Sequence, residues 1–193
     1  KIGPSARPLL NTIDVILDLS KLESGAVRLE TDQVQVSGLI EELREAAAPL
    51  VASRRKSLLI REKPRLGEGE LDPARLHQCL LQLIYNAAKF SRDGRITLTA
   101  SRAEVNGRDS LVFVVADTGV GVAPEHHERI FEPFTQVESH EGRRFEGSGL
   151  GLAFVRRLAR LMGGDVRCES ELGKGAQFTL WVPAGPDKAK AAA

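Results

Sequence analysis

Apolar positions at the start of the chain fall at helical spacing. Leu9, Ile13 and Ile16 lie in one row, Leu10, Ile13 and Leu17 in another, and Gly25 follows as a stop. The spacing predicts one amphipathic helix from Leu9 to about Ser24. From Val27 onward the pattern reads as a strand over Val27–Glu30, a helix from Ser37 to about Arg54, a strand over Ser57–Glu62 and a helix from Pro73 to Phe90. RITLTASRAEV and SLVFVVADT then flank Asn106-Gly107, the dipeptide that supplies two positive-φ residues to a tight hairpin. A short helix near Pro124–Ile130, a polar stretch, a helix after the glycines at 147–151 and two last strands, DVRCES and GAQFTLWV, complete the series.

Strands that alternate with helices yet include hairpins predict an α/β two-layer sandwich, a mixed sheet of about five strands with helices on one face. The unbroken run LVFVVA predicts a central strand buried on both faces. A lone helix as long as the first one is marginal in water, so its apolar stripe needs a cover. Either a helix outside this sequence or a second copy covers it, or it lies on its own domain.

Composition narrows the function classes. With 193 residues, 42% of them hydrophobic, the chain can build one globular domain plus an appended element. Lys and Arg total 27 against 26 Asp and Glu, and a net charge of +1 provides no global field to draw nucleic acid or an acidic membrane. Any charged partner must be held locally. Cys79 and Cys168 match no metal spacing or disulfide framework, which suits a reducing cytosol, and both read as small core residues. No apolar run reaches the roughly 18 residues of a membrane span, and no secretory signal is visible. The expected location is the cytoplasm, with room for a membrane anchor of the full-length protein outside this sequence. The start at Lys1 is read as the mark of a piece of a longer protein, and the Ala- and Lys-rich tail after Pro183 as disordered.

Three segments carry chemistry. On the helix Pro73 to Phe90, steps of 100° put Leu76, Leu80, Leu83, Ile84 and Ala87 on one face, with Gln82, Asn86 and Lys89 beside it. Asn86 at the edge of the buried face could offer its amide oxygen to a hard cation, and Lys89 could reach a phosphate; taken alone, a flanking Asn and Lys read more readily as solvated surface. In LVFVVADTGVGV the apolar run ends at Asp117, ahead of Gly119 and Gly121. A carboxylate there needs a partner. Two readings are open: a ligand amino group in an apolar pocket, or an Asp-x-Gly turn bonding its own backbone. In FEGSGLGLAFVRRLARLMGG, Gly147, Gly149 and Gly151 stand at alternate positions before a helix, where free backbone N–H groups and the helix dipole favour an anion such as phosphate.

In this order and spacing, Asn86 with Lys89-Phe90-Ser91, Asp117-x-Gly119-x-Gly121, Phe131-Glu132-Pro133-Phe134 and Gly147-x-Gly149-Leu150-Gly151-Leu152 resemble the four nucleotide-binding boxes of bacterial sensor histidine kinases. These kinases share a superfamily with gyrase, the mismatch-repair ATPase and the ninety-kilodalton heat-shock chaperone. The resemblance extends over nearly the whole chain. DVILDLSKLESG looks like the second helix of a dimerisation and phosphotransfer domain, and SELGKGAQFTLWVP like the closing strand pair of the catalytic domain. It divides the chain into a dimerisation remnant at 1–26, a catalytic ATP-binding domain at 27–184 and a tail at 185–193.

The resemblance implies Mg²⁺-ATP as the bound nucleotide, with a lid running roughly from Gln136 to Glu146. It implies Asn86 for Mg²⁺, Lys89 for a phosphate, Asp117 for the adenine amino group, Gly119 and Gly121 for approach of the base, and Phe90 as a wall of the base pocket. Gly147, Ser148, Gly149, Leu150, Gly151 and Leu152 would close over the phosphates. Arg143 or Arg144 would meet the γ-phosphate, or both would be solvated. Phe131 and Phe134 are expected as core anchors.

Two departures from the pattern matter. Glu146 stands where these kinases usually have another glycine, and Gln82 stands where hydrolytic relatives carry a Glu base. An amide cannot take a proton, whereas an imidazole nitrogen attacks with its own lone pair. Gln82 therefore favours phosphoryl transfer to histidine over hydrolysis. None of His77, His126, His127 and His140 has the sequence context of an acceptor, so the acceptor helix is expected outside this sequence. The implied partners are that helix, a response-regulator receiver and a second copy in the full-length protein. A nucleotide-gated ATPase or interaction module of the same superfamily is the alternative.

Overall fold

The computed structural model describes Leu17, Ser20, Leu22, residues 24–136 and residues 148–185, the side chains of Arg92 and Asp93 excepted. In chain order its elements are β1 (Asp32–Gln35), α1 (Val36–Ser53), β2 (Ser57–Glu62), β3 (Glu68–Leu71), α2 (Pro73–Phe90), β4 (Ser91–Val105), β5 (Arg108–Gly119), two short 3₁₀ turns (Pro124–His126 and Arg129–Phe131), α3 (Gly151–Leu161), β6 (Asp165–Glu171) and β7 (Gly175–Pro183). Five strands form a mixed sheet in the order β2-β4-β5-β7-β6, with β2 parallel to β4 and the other pairs antiparallel. The expected mixed five-stranded α/β sandwich is the observed one. The Asn106-Gly107 turn has φ of 53° and 75°, so both central residues take the left-handed conformation that the β4–β5 hairpin requires.

Amphipathic helices cover the sheet. Leu39, Ile40, Leu43, Ala47 and Val51 of α1, Leu76, Leu80, Leu83, Ile84 and Ala87 of α2, and Phe154, Val155 and Leu158 of α3 are buried in one core with Ile96, Leu98, Phe113 and Leu180. Cys79 and Cys168 belong to that core as expected. Burial holds the Cys79 thiol far above its usual value and pushes the Cys168 thiol up to about 12, so neither is a nucleophile at neutral pH.

Several expectations need correction. Val27–Glu30 is not a strand: the Glu30 N–H donates to Asp72 Oδ2 at 3.0 Å, so a side chain replaces the ladder there. The strand begins at Asp32 instead and pairs antiparallel with β3, a second small sheet that the sequence pattern did not reveal. β5 is fully buried on one face only, since Leu111, Phe113, Val115 and Asp117 are buried while Val112, Val114 and Ala116 are half-buried. The helix expected near Pro124–Ile130 is two separate 3₁₀ turns. At the N-terminal end Leu22 joins the core and Leu17 is exposed; the apolar row of Leu9, Leu10, Ile13 and Ile16 lies outside the described residues, as does the tail from 186.

Candidate functional site

Helix α2 is the scaffold of the site, and its start is strongly specified. Asp72, itself buried, caps it by accepting from the Arg75 N–H at 3.0 Å, and Pro73 takes the first helical position, where no N–H is needed. With the apolar face locked into the core, the phase of the helix sets Gln82, Asn86 and Lys89 along its half-buried flank. Gln82 Nε2 donates to Asn86 Oδ1 over a long 3.4 Å, and Lys89 Nζ lies 4.9 Å from the centre of the Phe90 ring.

The Asp-Gly segment meets the C-terminal end of α2. Asp117 closes the buried face of β5, and its Oδ1 accepts from the Gly119 N–H at 2.7 Å; the Ala176 N–H of β7 is a second donor to the carboxylate. The turn reading of Asp117 is thus realised. It does not exhaust the group, because an ionised carboxylate has about four acceptor positions. Burial raises the carboxyl above its ordinary value of 3.8, and the two N–H bonds act against that rise. A Cβ on Gly119 would sit 2.2 Å from the Phe90 carbonyl oxygen, and one on Gly121 2.1 Å from that of Glu171. Both glycines therefore first allow the chain's own backbone to approach.

The glycine-rich segment reaches α2 from the other side. A Cβ on Gly151 would lie 2.3 Å from Gln82 Nε2, so the first turn of α3 rests on the polar flank of α2. Gly149, at φ +70°, passes within 2.7 Å of the Phe134 carbonyl carbon by the same measure. Helix α3 has Leu150 at its N-cap position, and among the described residues no side chain caps it. Leu150 is buried, and Ser148 and Leu152 are half-buried. Phe131 is a core anchor, edge-on to Phe178 at 6.4 Å. Phe134 is not: it is 70% exposed with φ +63°, a left-handed turn position that points its side chain outward. His77, His126 and His127 are half-buried, and a ring nitrogen of His127 lies 3.2 Å from the Val122 carbonyl. Arg143, Arg144, Glu146, Gly147 and His140 lie outside the described residues.

Three segments distant in sequence thus meet along the C-terminal half of one helix: an amide stripe, a buried carboxylate and a helix N-terminus. The family described as "Histidine kinase-, DNA gyrase B-, and HSP90-like ATPase" matches residues 71–186, which hold all three. The chain belongs to this family. It is 36% identical over 187 residues to the aerobic respiration control sensor protein ArcB of Escherichia coli (strain K12), covering 95% of this chain and 23% of that protein. To the circadian input-output histidine kinase CikA of Synechococcus elongatus it is 33% identical over 198 residues, covering 94% and 24%. Among solved structures, full-length ShkA in complex with AMPPNP superposes with a TM-score of 0.80 at 36% identity, over 93% of this chain and 36% of that one. The Acinetobacter baumannii histidine kinase AdeS, at 21% identity and a TM-score of 0.73, covers 93% and 80% and shares the fold. The chain spans about a quarter of the length of ArcB and CikA.

Proposed function

We propose that the chain binds Mg²⁺-ATP and transfers the γ-phosphoryl group to a histidine on a phosphotransfer helix, for relay to a response-regulator aspartate in the cytoplasm. The observation that carries this reading is the seating of Gly151 against Gln82, which brings the N-terminus of α3 to the amide stripe that ends at Lys89. Residues 27–184 would be the catalytic domain, 1–26 part of a dimerisation domain and 185–193 a tail. Among the described residues no helix is long and apolar enough to cross a membrane.

Asp117 would accept from the adenine amino group between Phe90 and the Gly119–Gly121 turn. Lys89 and the backbone of Gly147, Ser148, Gly149, Leu150, Gly151 and Leu152 would hold phosphate oxygens, with Arg143 or Arg144 at the γ-phosphate. The half-buried Asn86 Oδ1 fits a Mg²⁺ ligand, because Mg²⁺ is usually held by one or two protein oxygens plus phosphates and water. Among the described residues no group of three or more His, Cys, Asp or Glu competes as a metal site. Bound there, the ion would neutralise phosphate charge. In the transfer, the histidine nitrogen gives its lone pair to the γ-phosphorus and the bond to the β–γ bridging oxygen breaks. ADP leaves with that electron pair, and the proton on the other ring nitrogen passes to water. The chain's part is positioning and fixed donors. Labelled phosphate reaching a separately made acceptor helix tests this reading.

Gln82 gives a second test. The unmodified chain should hydrolyse ATP very slowly, and Gln82→Glu should raise hydrolysis by about tenfold or more, below the full contribution of a general base because the new carboxylate faces Asn86 Oδ1. Steady phosphate release measures both. Rapid turnover by the unmodified chain without an acceptor would favour a hydrolytic module instead.

Asp117 also sets a pH dependence. Its folded-state pKa is raised, so the protonated form is the one that folding favours, and its stabilisation is lost as pH rises through the folded value. Nucleotide binding runs the opposite way, since the adenine donor prefers the charged carboxylate. ADP affinity should therefore fall as pH drops through a window that opens above the ordinary 3.8. Titration calorimetry across that window should show this fall in the native chain and not in Asp117→Asn.

A further inference from the structure

Arg156 lies one and a half turns into α3, outside the segments that would touch nucleotide, with a side chain only 19% exposed. It binds three separate places. Nη1 donates to Glu128 Oε2 at 2.8 Å, Nε to Asp165 Oδ1 at 3.3 Å, and the guanidinium carbon stands 4.7 Å from the centre of the Phe131 ring. Phe131 is in turn edge-on to Phe178 of β7. Arg160, one turn on, shares Asp165 at 3.1 Å. A lysine could not reproduce this, because only a planar guanidinium can stack on a ring while donating from two edges.

The segment that Arg156 grips continues to a backbone stretch that lies against Gly149, just before its own helix. Four residues beyond Phe131, the Thr135 oxygen would be 2.8 Å from a Gly149 Cβ, with the Phe134 carbonyl carbon at 2.7 Å. The backbone at 134–135 is thus the surface on which Gly149 rests, two residues before the first N–H groups of α3. Movement of the Glu128–Phe131 turn against α3 would move that surface and re-aim those donors. We infer that Arg156 is a positioning residue for the phosphate cradle: it locks residues 128–135 to α3 and so fixes Gly149 and the N-terminal N–H groups of the helix. This inference rests on the reading that phosphates bind at that terminus.

The test compares ADP with adenosine, because adenosine fills only the base pocket. Affinities of both would be measured by NMR titration for the native chain, Arg156→Lys, Arg156→Met and Glu128→Gln, with thermal midpoints alongside. Arg156→Met keeps an apolar contact on Phe131 and should lower the preference for ADP over adenosine about tenfold, as expected when a positioning contact is lost. Adenosine affinity itself should stay within about twofold. Arg156→Lys should recover only part of the loss. Glu128 is itself 78% exposed, so Glu128→Gln leaves the fold intact while removing the charge from one partner of Arg156, and it should lower the preference about threefold. If the midpoint falls while the ADP preference stays native in Arg156→Met, Arg156 merely packs, and the inference is overturned. Should Arg156→Met not fold, a native preference in Glu128→Gln overturns it equally. If the native chain itself binds ADP no better than adenosine, the phosphate reading fails first.

Discussion

Replacing Asp117 with Asn is expected to weaken ADP binding by about 1.5–3 kcal/mol, about 10- to 150-fold, the range for a hydrogen bond to a charged partner. The two side chains have the same shape, so the comparison isolates hydrogen-bond chemistry. The Gly119 and Ala176 N–H groups both point at the carboxylate, so the amide must turn its oxygen toward them. Its NH₂ group then faces the adenine amino group, donor against donor. Stability should move little or improve, because the variant also removes a charge whose burial is costly enough to raise its pKa. Calorimetric titration and a thermal melt separate the two effects. Unchanged ADP affinity in a folded Asp117→Asn removes Asp117 from the base pocket.

Legibility from sequence followed the strength of local signals. Helix α2 runs from Pro73 to Phe90 as its pattern predicts, because a cap, a proline at the first position and a continuous apolar face agree. The β4–β5 hairpin was readable from Asn106-Gly107 for the same reason. The small sheet was not: β3 is Glu-Gly-Glu-Leu, too short and polar for a period-2 signal, and its partner β1 follows a segment whose hydrogen bond goes to a distant Asp72. The run at 111–116 misled because an apolar residue fits a half-covered sheet face as well as a buried one.

At the site, residue types were legible and distances were not. The spacing of Asp117 and Gly119 announces a turn, but the second donor, Ala176, arrives through pairing with another strand and leaves no local trace. The glycines read as room for a ligand, whereas the nearest obstacles to a Cβ are the carbonyls of Phe90 and Glu171 and the amide of Gln82. Arg156 gives no signal at all. In sequence it is one basic residue on a helix, and only the fold brings Glu128, Phe131 and Asp165 around it.

Incubated with γ-labelled ATP, this chain is expected to carry no phosphate itself and yet to label an added phosphotransfer helix. The described histidines are poorly placed to attack. His77 is in α2, more than one turn from the Gln82–Asn86 pair, and His126 and His127 belong to a turn region in which one His127 nitrogen is engaged with the Val122 carbonyl. Holding a nucleophile in line with the γ-phosphorus supplies effective concentrations of about 10⁵ M or more, so an imidazole that is not held there reacts at a negligible rate. An added helix can be presented by docking, though without tethering it forgoes an effective concentration of about millimolar, and transfer should be slow and proportional to acceptor concentration. The product should be acid-labile and alkali-stable, as a phosphorus–nitrogen bond is, and Asn86→Ala should abolish it if Asn86 holds the metal. Label that accumulates instead on His77, His126, His127 or His140 of this chain would identify the true nucleophile and overturn transfer in trans.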